Sequence, residues 1–179
     1  MTNESFLESC RRELGRLRRL ADGALAQMSD DVFFRIPAPG SNSAAIIVKH
    51  LAGNMRSRWS DVFNSDGEAA GRDRDQEFKI AGEDTREALG QAWREGWEAL
   101  FRALGSLDDA DLGRVVHIRR EPHTVRQAIQ RQLVHHAYHV GQIVFVARLS
   151  TGDAWQTLSI PWGQSAAANA RPGRYLSGG

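Results

Sequence analysis

Residues 132–143, Gln132-Leu133-Val134-His135-His136-Ala137-Tyr138-His139-Val140-Gly141-Gln142-Ile143, hold three of the six histidines of the chain. Apolar residues continue from this segment to Leu149, and Thr124 stands upstream as a helix-start residue. The pattern predicts a long helix over about residues 125–150. His135 and His139 are four positions apart in that helix, so their side chains share one face, about 6 Å apart. This spacing suits two imidazoles that bind one metal ion.

The histidine pair also has a simpler interpretation. Buried histidines often only hydrogen-bond to the backbone or to carboxylates, and the H-x-x-x-H spacing alone is weakly specific. Both interpretations stay open on the residues of this segment. His136 lies about 100° further around the helix, toward Leu133 and Val140. We expect it to pack there or to support the site from outside the ion's ligands.

Composition limits the classes of protein that the chain can belong to. With 179 residues, of which 41% are hydrophobic and 25% charged, it has the size of one domain with a real core. No apolar run reaches the ~18–20 residues of a membrane span, so we expect no membrane partner. A formal net charge of +1 gives no general reason to expect nucleic acid as a partner. The first residues, Met1-Thr2-Asn3-Glu4, lack a signal-peptide pattern, and a single cysteine predicts a reducing cytoplasm.

Apolar periodicity predicts three more helices, over about residues 4–28, 42–63 and 84–104. Asn42-Ser43 offers an N-cap for the second helix, and Asp84 with Glu87 resembles a capping box for the third. Residues 33–40 read as a loop, residues 64–82 as a long connection, and residues 115–118 as a short extended piece. Cys10 lies on the apolar stripe of the first helix, so we interpret it as a core residue.

We predict one helical domain over residues 1–179. Its C-terminal segment, residues 151–170, carries Trp155, Ile160 and Trp162, which predict that the segment packs on the helices. Residues 171–179 contain the Pro and Gly of a loose end.

A polar face on the second predicted helix is the other informative pattern. His50, Asn54, Ser57 or Arg58, and Asp61 recur at spacings of three and four, which puts them on one side of a helix. Such a face can contact water or can line a polar cavity between helices. Both remain open from the spacing alone.

Together, His50 and the motif His135-x-x-x-His139-x-Gly141-Gln142 resemble the DinB/YfiT-like superfamily, over about residues 6–149. Further pieces resemble one branch of it, a domain of unknown function. These pieces are Asn42-Ser43, residues 50–59, Asp66-Gly67-Glu68, Glu77-Phe78, Ser159-Ile160-Pro161 and Gly163-Gln164-Ser165. The resemblance implies an all-α four-helix bundle with a long crossover connection, often a homodimer. It also implies a three-histidine metal centre, and the matching positions here are His50, His135 and His139.

The resemblance further implies a divalent ion that varies among zinc, nickel and iron. Some relatives use it with a low-molecular-weight thiol in transfer or isomerisation, and one group resembles hydrolases. The homodimer has weak support in Trp93, Trp97, Trp155 and Trp162, which are more large aromatic residues than one core easily holds.

The chemistry of a three-histidine metal centre indicates which neighbouring side chains could take part in binding or reaction. Three neutral imidazoles leave the charge of a divalent ion uncompensated, and three protein ligands leave a position open, as in catalytic zinc sites. Water bound at such a position can reach a pKa of about 7, and a bound thiol loses its proton. Asn54 and Gln142 could orient substrate or water, and Arg58 could bind carboxylate or phosphate. Hydrogen bonds inside the bundle explain these three equally well. Asp61 is a candidate acceptor for a ring nitrogen of a histidine.

Two hypotheses of different class follow. In the first, the protein is a metal-dependent enzyme that activates a thiol or water for transfer or hydrolysis on a small molecule. In the second, it is a non-catalytic binding or stress-response module that a metal stabilises. A ligand-sized cavity over the histidines distinguishes them, because a stabilising metal would be closed off by protein.

Overall fold

The computed structural model describes residues 4–66 and 71–171. The chain is mostly helical, as predicted. Within the described residues it forms six α-helices: α1 Phe6–Leu25, α2 Asp30–Phe34, α3 Ala44–Trp59, α4 Arg86–Ser106, α5 Val125–Thr151 and α6 Ser165–Asn169. An antiparallel hairpin of β1 Val115–Ile118 and β2 Glu121–Thr124 precedes α5. The sheet is as small as the sequence predicts.

Hydroxyl side chains start the four long helices. Ser5, Ser43, Thr85 and Thr124 each accept a hydrogen bond from the backbone N–H three residues later. This satisfies one of the N–H groups that a helix start leaves without an internal partner. The predicted cap at Asp84 is therefore wrong by one residue. Asp84 instead accepts from the N–H of Ala81 and pairs with Lys49 at 2.6 Å.

The four long helices pack on one another around the core: α1 contacts α5 and α4, and α3 contacts α4 and α5. Each contributes completely buried side chains, among them Leu14, Leu51, Trp97 and Ile143. Gly96 allows α4 to approach α3 closely, because a Cβ there would lie 3.2 Å from both Cα and O of Ala52. Trp93 and Trp97 are buried in this core. They therefore give no support to an intersubunit surface.

Two predicted boundaries differ from the structure. The five-residue helix α2 falls partly inside the predicted loop over residues 33–40. Helix α3 ends at Trp59 rather than near residue 63. Beyond it Asp61 is exposed and accepts a hydrogen bond from Nδ2 of Asn64 at 2.8 Å, while its backbone O accepts from Ser65. Asp61 therefore does not continue the polar face of α3.

The turn of the hairpin has an unusual backbone. Arg119 and Arg120 connect β1 to β2, and both have positive φ, at 54° and 65°. Two-residue hairpin turns need this conformation, and Asn-Gly is the pair that adopts it most readily. Arginine carries a Cβ that disfavours it, at about 1–2 kcal/mol per residue. Asp66 holds the turn, since its backbone O accepts from Arg119 N at 3.3 Å and its Oδ1 from Arg120 N at 2.8 Å.

The C-terminal segment contacts the helices through its first half. Trp155 and Leu158 are partly buried against the core, and the backbone of Gln156 bonds the side chain of Gln27. Ile160 and Trp162 are exposed. The predicted loose end, apart from Arg171, lies outside the described residues. No helix in the described ranges is both long enough and apolar enough to cross a membrane.

Candidate metal centre

Three histidines from two helices meet between α3 and α5. His50 lies in α3, and His135 and His139 lie one turn apart in α5. Their ring centroids are 5.2 Å (His50–His135), 5.0 Å (His50–His139) and 4.7 Å (His135–His139) apart. One nitrogen of each ring lies within 4.8 Å of the other two, close enough to bind one metal ion.

The spacing of the nitrogens fits a tetrahedral ion. Bonds of about 2.0–2.1 Å at tetrahedral angles place ligand nitrogens about 3.3 Å apart. Nε2 of His50 and Nε2 of His135 are 3.2 Å apart, which is this distance. No two of the three candidate ligand nitrogens are more than 4.8 Å apart. Among the described residues this is the only group of three or more His, Cys, Asp or Glu side chains with such spacing.

Glu77 fixes the orientation of the His50 ring. It lies in a short 3-10 turn, Gln76–Phe78, of the connection between α3 and α4. Nδ1 of His50 donates to Oε2 of Glu77 at 2.8 Å, because an ionised carboxylate can only accept. The proton of the neutral imidazole is then on Nδ1, and the lone pair of Nε2 faces the other two histidines. This arrangement of carboxylate and histidine is common behind metal ligands.

The carboxylate of Glu77 is itself held in place. Arg72 donates to it twice, from Nε at 2.7 Å and from Nη2 at 2.9 Å. Burial disfavours the charged form of Glu77, but the hydrogen bonds from His50 and Arg72 outweigh burial and lower its pKa. Gly53 leaves room for the group, since a Cβ at that position would collide with Oε1 of Glu77.

Gln142 has the same function for His139. Nδ1 of His139 donates to Oε1 of Gln142 at 2.8 Å, which again leaves Nε2 without a proton in the neutral ring. Burial lowers the pKa of His139 although the Gln142 hydrogen bond opposes it. Burial, followed by the charges of the neighbouring histidines and of Arg58, lowers the pKa of His135 to about 2. His135 and His139 are therefore neutral at pH 7, the form that binds metal.

His136 points away from this cluster. Its ring is completely buried and lies 4.9 Å from the ring of Trp97 on α4, edge to face. Nδ1 of His136 donates to the backbone O of Gln132 at 3.0 Å. The side chain of Gln132 is also buried and donates to Oδ1 of Asn54 at 3.1 Å. These groups form a polar layer beneath the three histidines that connects α5 to α3.

An open cavity of about 640 Å³ lies beside the histidines. His50, His135 and Asn54 are among the residues that line it. Five arginines line it as well: Arg58, Arg72, Arg74, Arg119 and Arg131. Ligand pockets commonly have volumes of about 300–1,000 Å³. The cavity is therefore large enough to admit a small molecule to the histidine nitrogens.

Of the four residues predicted to surround the histidines, three lie at the cluster or its cavity and one does not. Asn54 and Arg58 are buried and line the cavity, although Oδ1 of Asn54 is already bonded to Gln132. Gln142 contacts His139 directly. Asp61 is the exception, because the helix ends before it and its carboxylate bonds Asn64 in an exposed turn. The prediction that Asp61 accepts from a histidine is wrong.

Glu77 has the place that the sequence analysis gave to Asp61. It is 27 positions from His50 and lies outside every predicted helix, so no periodicity connects it to the site. Its place in the piece Glu77-Phe78 was the signal that could have identified it. The ring of Phe78 lies 4.7 Å from the His50 ring, so both residues of this piece contact the same histidine.

Comparison with known proteins identifies one matching family. The sequence model of a family described as "Protein of unknown function (DUF1572)" matches residues 1–164. No curated protein matches the chain at a significant level.

Proposed function

We propose that this chain, which belongs to the DUF1572 family of proteins of unknown function, is a metal-dependent enzyme acting on a small molecule. His50, His135 and His139 would hold a divalent ion, zinc, nickel or iron. The observation that carries the proposal is the convergence of three imidazole nitrogens within 4.8 Å, beside an open cavity that His50 and His135 line. Nothing in the family description assigns a reaction, so the proposal rests on the chemistry of the site.

The residues around the histidines prepare them to bind a cation. Glu77 and Gln142 keep the Nδ1 protons of His50 and His139, so that two Nε2 lone pairs face the centre. Nδ1 of His135 is buried and has no hydrogen-bond partner among the described residues.

A bound divalent ion would supply a Lewis acid that lowers the pKa of a thiol or water at its open position. The arginines and Asn54 would orient the second reactant in the cavity. Both the thiol-dependent transfer and the hydrolysis remain within this proposal, and a low-molecular-weight thiol is the proposed cosubstrate of the first. The open cavity favours an enzyme over a metal-stabilised binding module, because a stabilising ion needs no access from outside.

The proposed fold is a four-helix bundle of the DinB/YfiT-like type. Its support is the packing of α1, α3, α4 and α5 around one core and the long connection from residue 60 to residue 85. Bundles with such crossover connections place metal ligands on facing helices. His50 on α3 and the pair on α5 fit that arrangement.

We propose also that two copies pair through α5. Val134, Tyr138, Phe145 and Leu149 are exposed on this helix, and at 100° per residue they lie within about 60° of one another. An exposed apolar stripe of this kind is typical of a protein–protein contact. Light scattering is expected to give a dimer for the wild type and a monomer for Phe145→Glu. A monomeric wild type at high micromolar concentration contradicts this pairing.

The metal site is tested by direct metal analysis. Untagged protein, purified without chelator, is expected to contain close to one ion per chain by inductively coupled plasma mass spectrometry. His135→Ala and His139→Ala each remove one of three ligands and are expected to lose most of that ion. His117→Ala is the matched control, since His117 is an exposed strand residue outside the cluster and its loss should leave the metal content unchanged.

Metal-loaded protein would then be assayed with a panel of thiols and electrophiles, and separately with ester and amide substrates. Equal metal content in wild type and both site variants would refute the site. A bound ion without any turnover over the panel, together with full stabilisation by the ion, would favour the binding module.

A further inference from the structure

The exposed apolar residues of α5 are arranged symmetrically along the helix. Val134 and Tyr138 lie four positions apart, and Phe145 and Leu149 repeat this spacing further along. The midpoint of the four falls beside Gly141. A two-fold axis at that midpoint, perpendicular to α5, places Leu149 of a second copy opposite Val134, and Phe145 of that copy opposite Tyr138. The stripe is therefore complementary to itself, as the contact surface of a two-fold dimer must be.

The same stripe forms part of the wall of the cavity beside the histidines. Val134 and Tyr138 line this cavity and are also exposed on α5. We infer that two copies pair antiparallel at Gly141 and that each supplies its Phe145 and Leu149 to the cavity wall of the other, so that each site is built from two chains. The inference rests on the proposed function, because it completes the cavity in which that function would take place.

Gly141 supports this pairing independently of the apolar residues. A glycine inside a helix is about 0.5–1 kcal/mol less stable than an alanine. A Cβ at this position would meet no atom within 4 Å, so no contact with the described residues of the same chain requires a glycine there. At 100° per residue, Gly141 lies about 20° from Val134 and about 40° from Phe145 around the helix, and it is exposed. Because the distance between packed helices depends on the side chains at the contact, a glycine at the midpoint lets two copies of α5 approach closely.

The charges of α5 favour the antiparallel direction. The helix contains three arginines and no acidic residue. A parallel pair would place Arg131 beside Arg131 of the second copy, and Arg148 beside Arg148, and such like-charge contacts are costly. An antiparallel pair about Gly141 instead places Arg148 near Val134 and Arg131 near the end of the helix at Thr151. No two arginines of α5 are then opposite each other.

Disulfide cross-linking of the full chain, as purified, tests the pairing. In the double variant Val134→Cys/Leu149→Cys the two cysteines of one chain are 15 positions apart. This is about 22 Å along the helix, too far for a bond within the chain. Mild oxidation is expected to convert most of this variant to a covalent dimer. Cys10 is buried, and excess N-ethylmaleimide present during denaturation blocks it before the products are separated.

The two single variants are the matched controls. In an antiparallel pair the two copies of Val134→Cys, or of Leu149→Cys, are about 22 Å apart, so neither variant should form a covalent dimer. Cross-linking of either single variant would indicate parallel pairing and would overturn the inference. A double variant that stays uncross-linked would overturn it as well. These results do not depend on a bound ion, so loss of the metal site and loss of the pairing are distinguishable.

Thiol labelling tests whether the second copy covers the cavity wall. A small maleimide is expected to label Val134→Cys about fivefold faster or more when Phe145→Glu is added, because that change separates the copies and exposes the thiol. Val115→Cys, on the exposed side of β1, is the control and should react at the same rate with and without Phe145→Glu. Equal rates for Val134→Cys in the two backgrounds would refute a shared cavity wall.

Sedimentation equilibrium tests the close approach at the midpoint. Gly141→Ala should weaken the dimer about tenfold, whereas Gly105→Ala, equally open in the chain, should leave the dissociation constant unchanged. A Gly141→Ala dimer as tight as the wild type would contradict the crossing at this residue. A wild type that stays monomeric and sediments with neutral phosphatidylcholine vesicles would assign the stripe to a lipid surface and refute the inference.

Discussion

Replacement of Glu77 by glutamine removes one charge from the structure and keeps the shape of the side chain. In the wild type the carboxylate accepts three hydrogen bonds, from Nδ1 of His50 and from Nε and Nη2 of Arg72. A glutamine has one acceptor oxygen and a donating NH₂ group, so a buried donor of His50 or Arg72 meets another donor. Only 6% of the Arg72 side chain is exposed, and its charge then loses its ion pair with the carboxylate of Glu77.

The magnitudes follow from this loss. Removing one partner of a buried ion pair typically costs about 3–5 kcal/mol. We expect about 3 kcal/mol for Glu77→Gln, because one acceptor oxygen remains. Loss of the carboxylate behind a metal-binding histidine typically lowers affinity about 10–100-fold. Metal-free protein would be unfolded in urea, and zinc affinity measured by competition with a chromogenic chelator. Glu83→Gln, at an exposed position in the same connection, is the control. Wild-type zinc affinity and an unchanged urea midpoint in Glu77→Gln would refute the role assigned to Glu77.

Three further predictions concern the core. Gly96→Ala places a Cβ against the backbone of Ala52 and should lower the free energy of unfolding by about 1–3 kcal/mol, whereas Gly105→Ala, in open space on the same helix, should raise it by about 0.5–1 kcal/mol; urea unfolding of both variants measures this. Cys10 is buried and burial raises the pKa of its thiol, so a thiol reagent at pH 8 should label it only in denaturant, and rapid labelling of the native protein would contradict this. Burial lowers the pKa of His136 to about 3, so below about pH 6.5 the unfolded state takes up a proton that the folded state does not. The free energy of unfolding should therefore decrease as the pH falls through this window. Urea titrations at pH 5 and 6 should show that His136→Asn reduces this dependence on pH by up to about 1.4 kcal/mol per pH unit.

Local signals in the sequence were sufficient for the long helices and for the histidine pair of α5. Thr124 and Ser43 start α5 and α3 as expected, because a cap bonds a backbone N–H only three residues away. The pair His135 and His139 follows from helical spacing alone. His50 required the resemblance as well, since no periodicity links α3 to α5.

The parts of the fold and of the site that the sequence did not reveal depend on contacts between residues that are far apart in the chain. Asp61 was assigned to the site because it continues the spacing of three and four of the polar face that begins at His50, but the helix ends at Trp59. Glu77 reaches His50 from an irregular connection, where no period predicts the direction of a side chain. The Arg119–Arg120 turn carries none of the residues that normally mark a hairpin turn.

The separation of the histidines along the chain has a consequence for biosynthesis. His50 and His135 are 85 positions apart, and the carboxylate of Glu77 lies between them in sequence. While the ribosome is still making α4, the nascent chain exposes one of the three histidines together with its carboxylate partner. A single imidazole holds a divalent ion weakly. If the three histidines bind an ion as proposed, its capture would follow the synthesis and docking of α5, and the chain would fold before it acquires the ion.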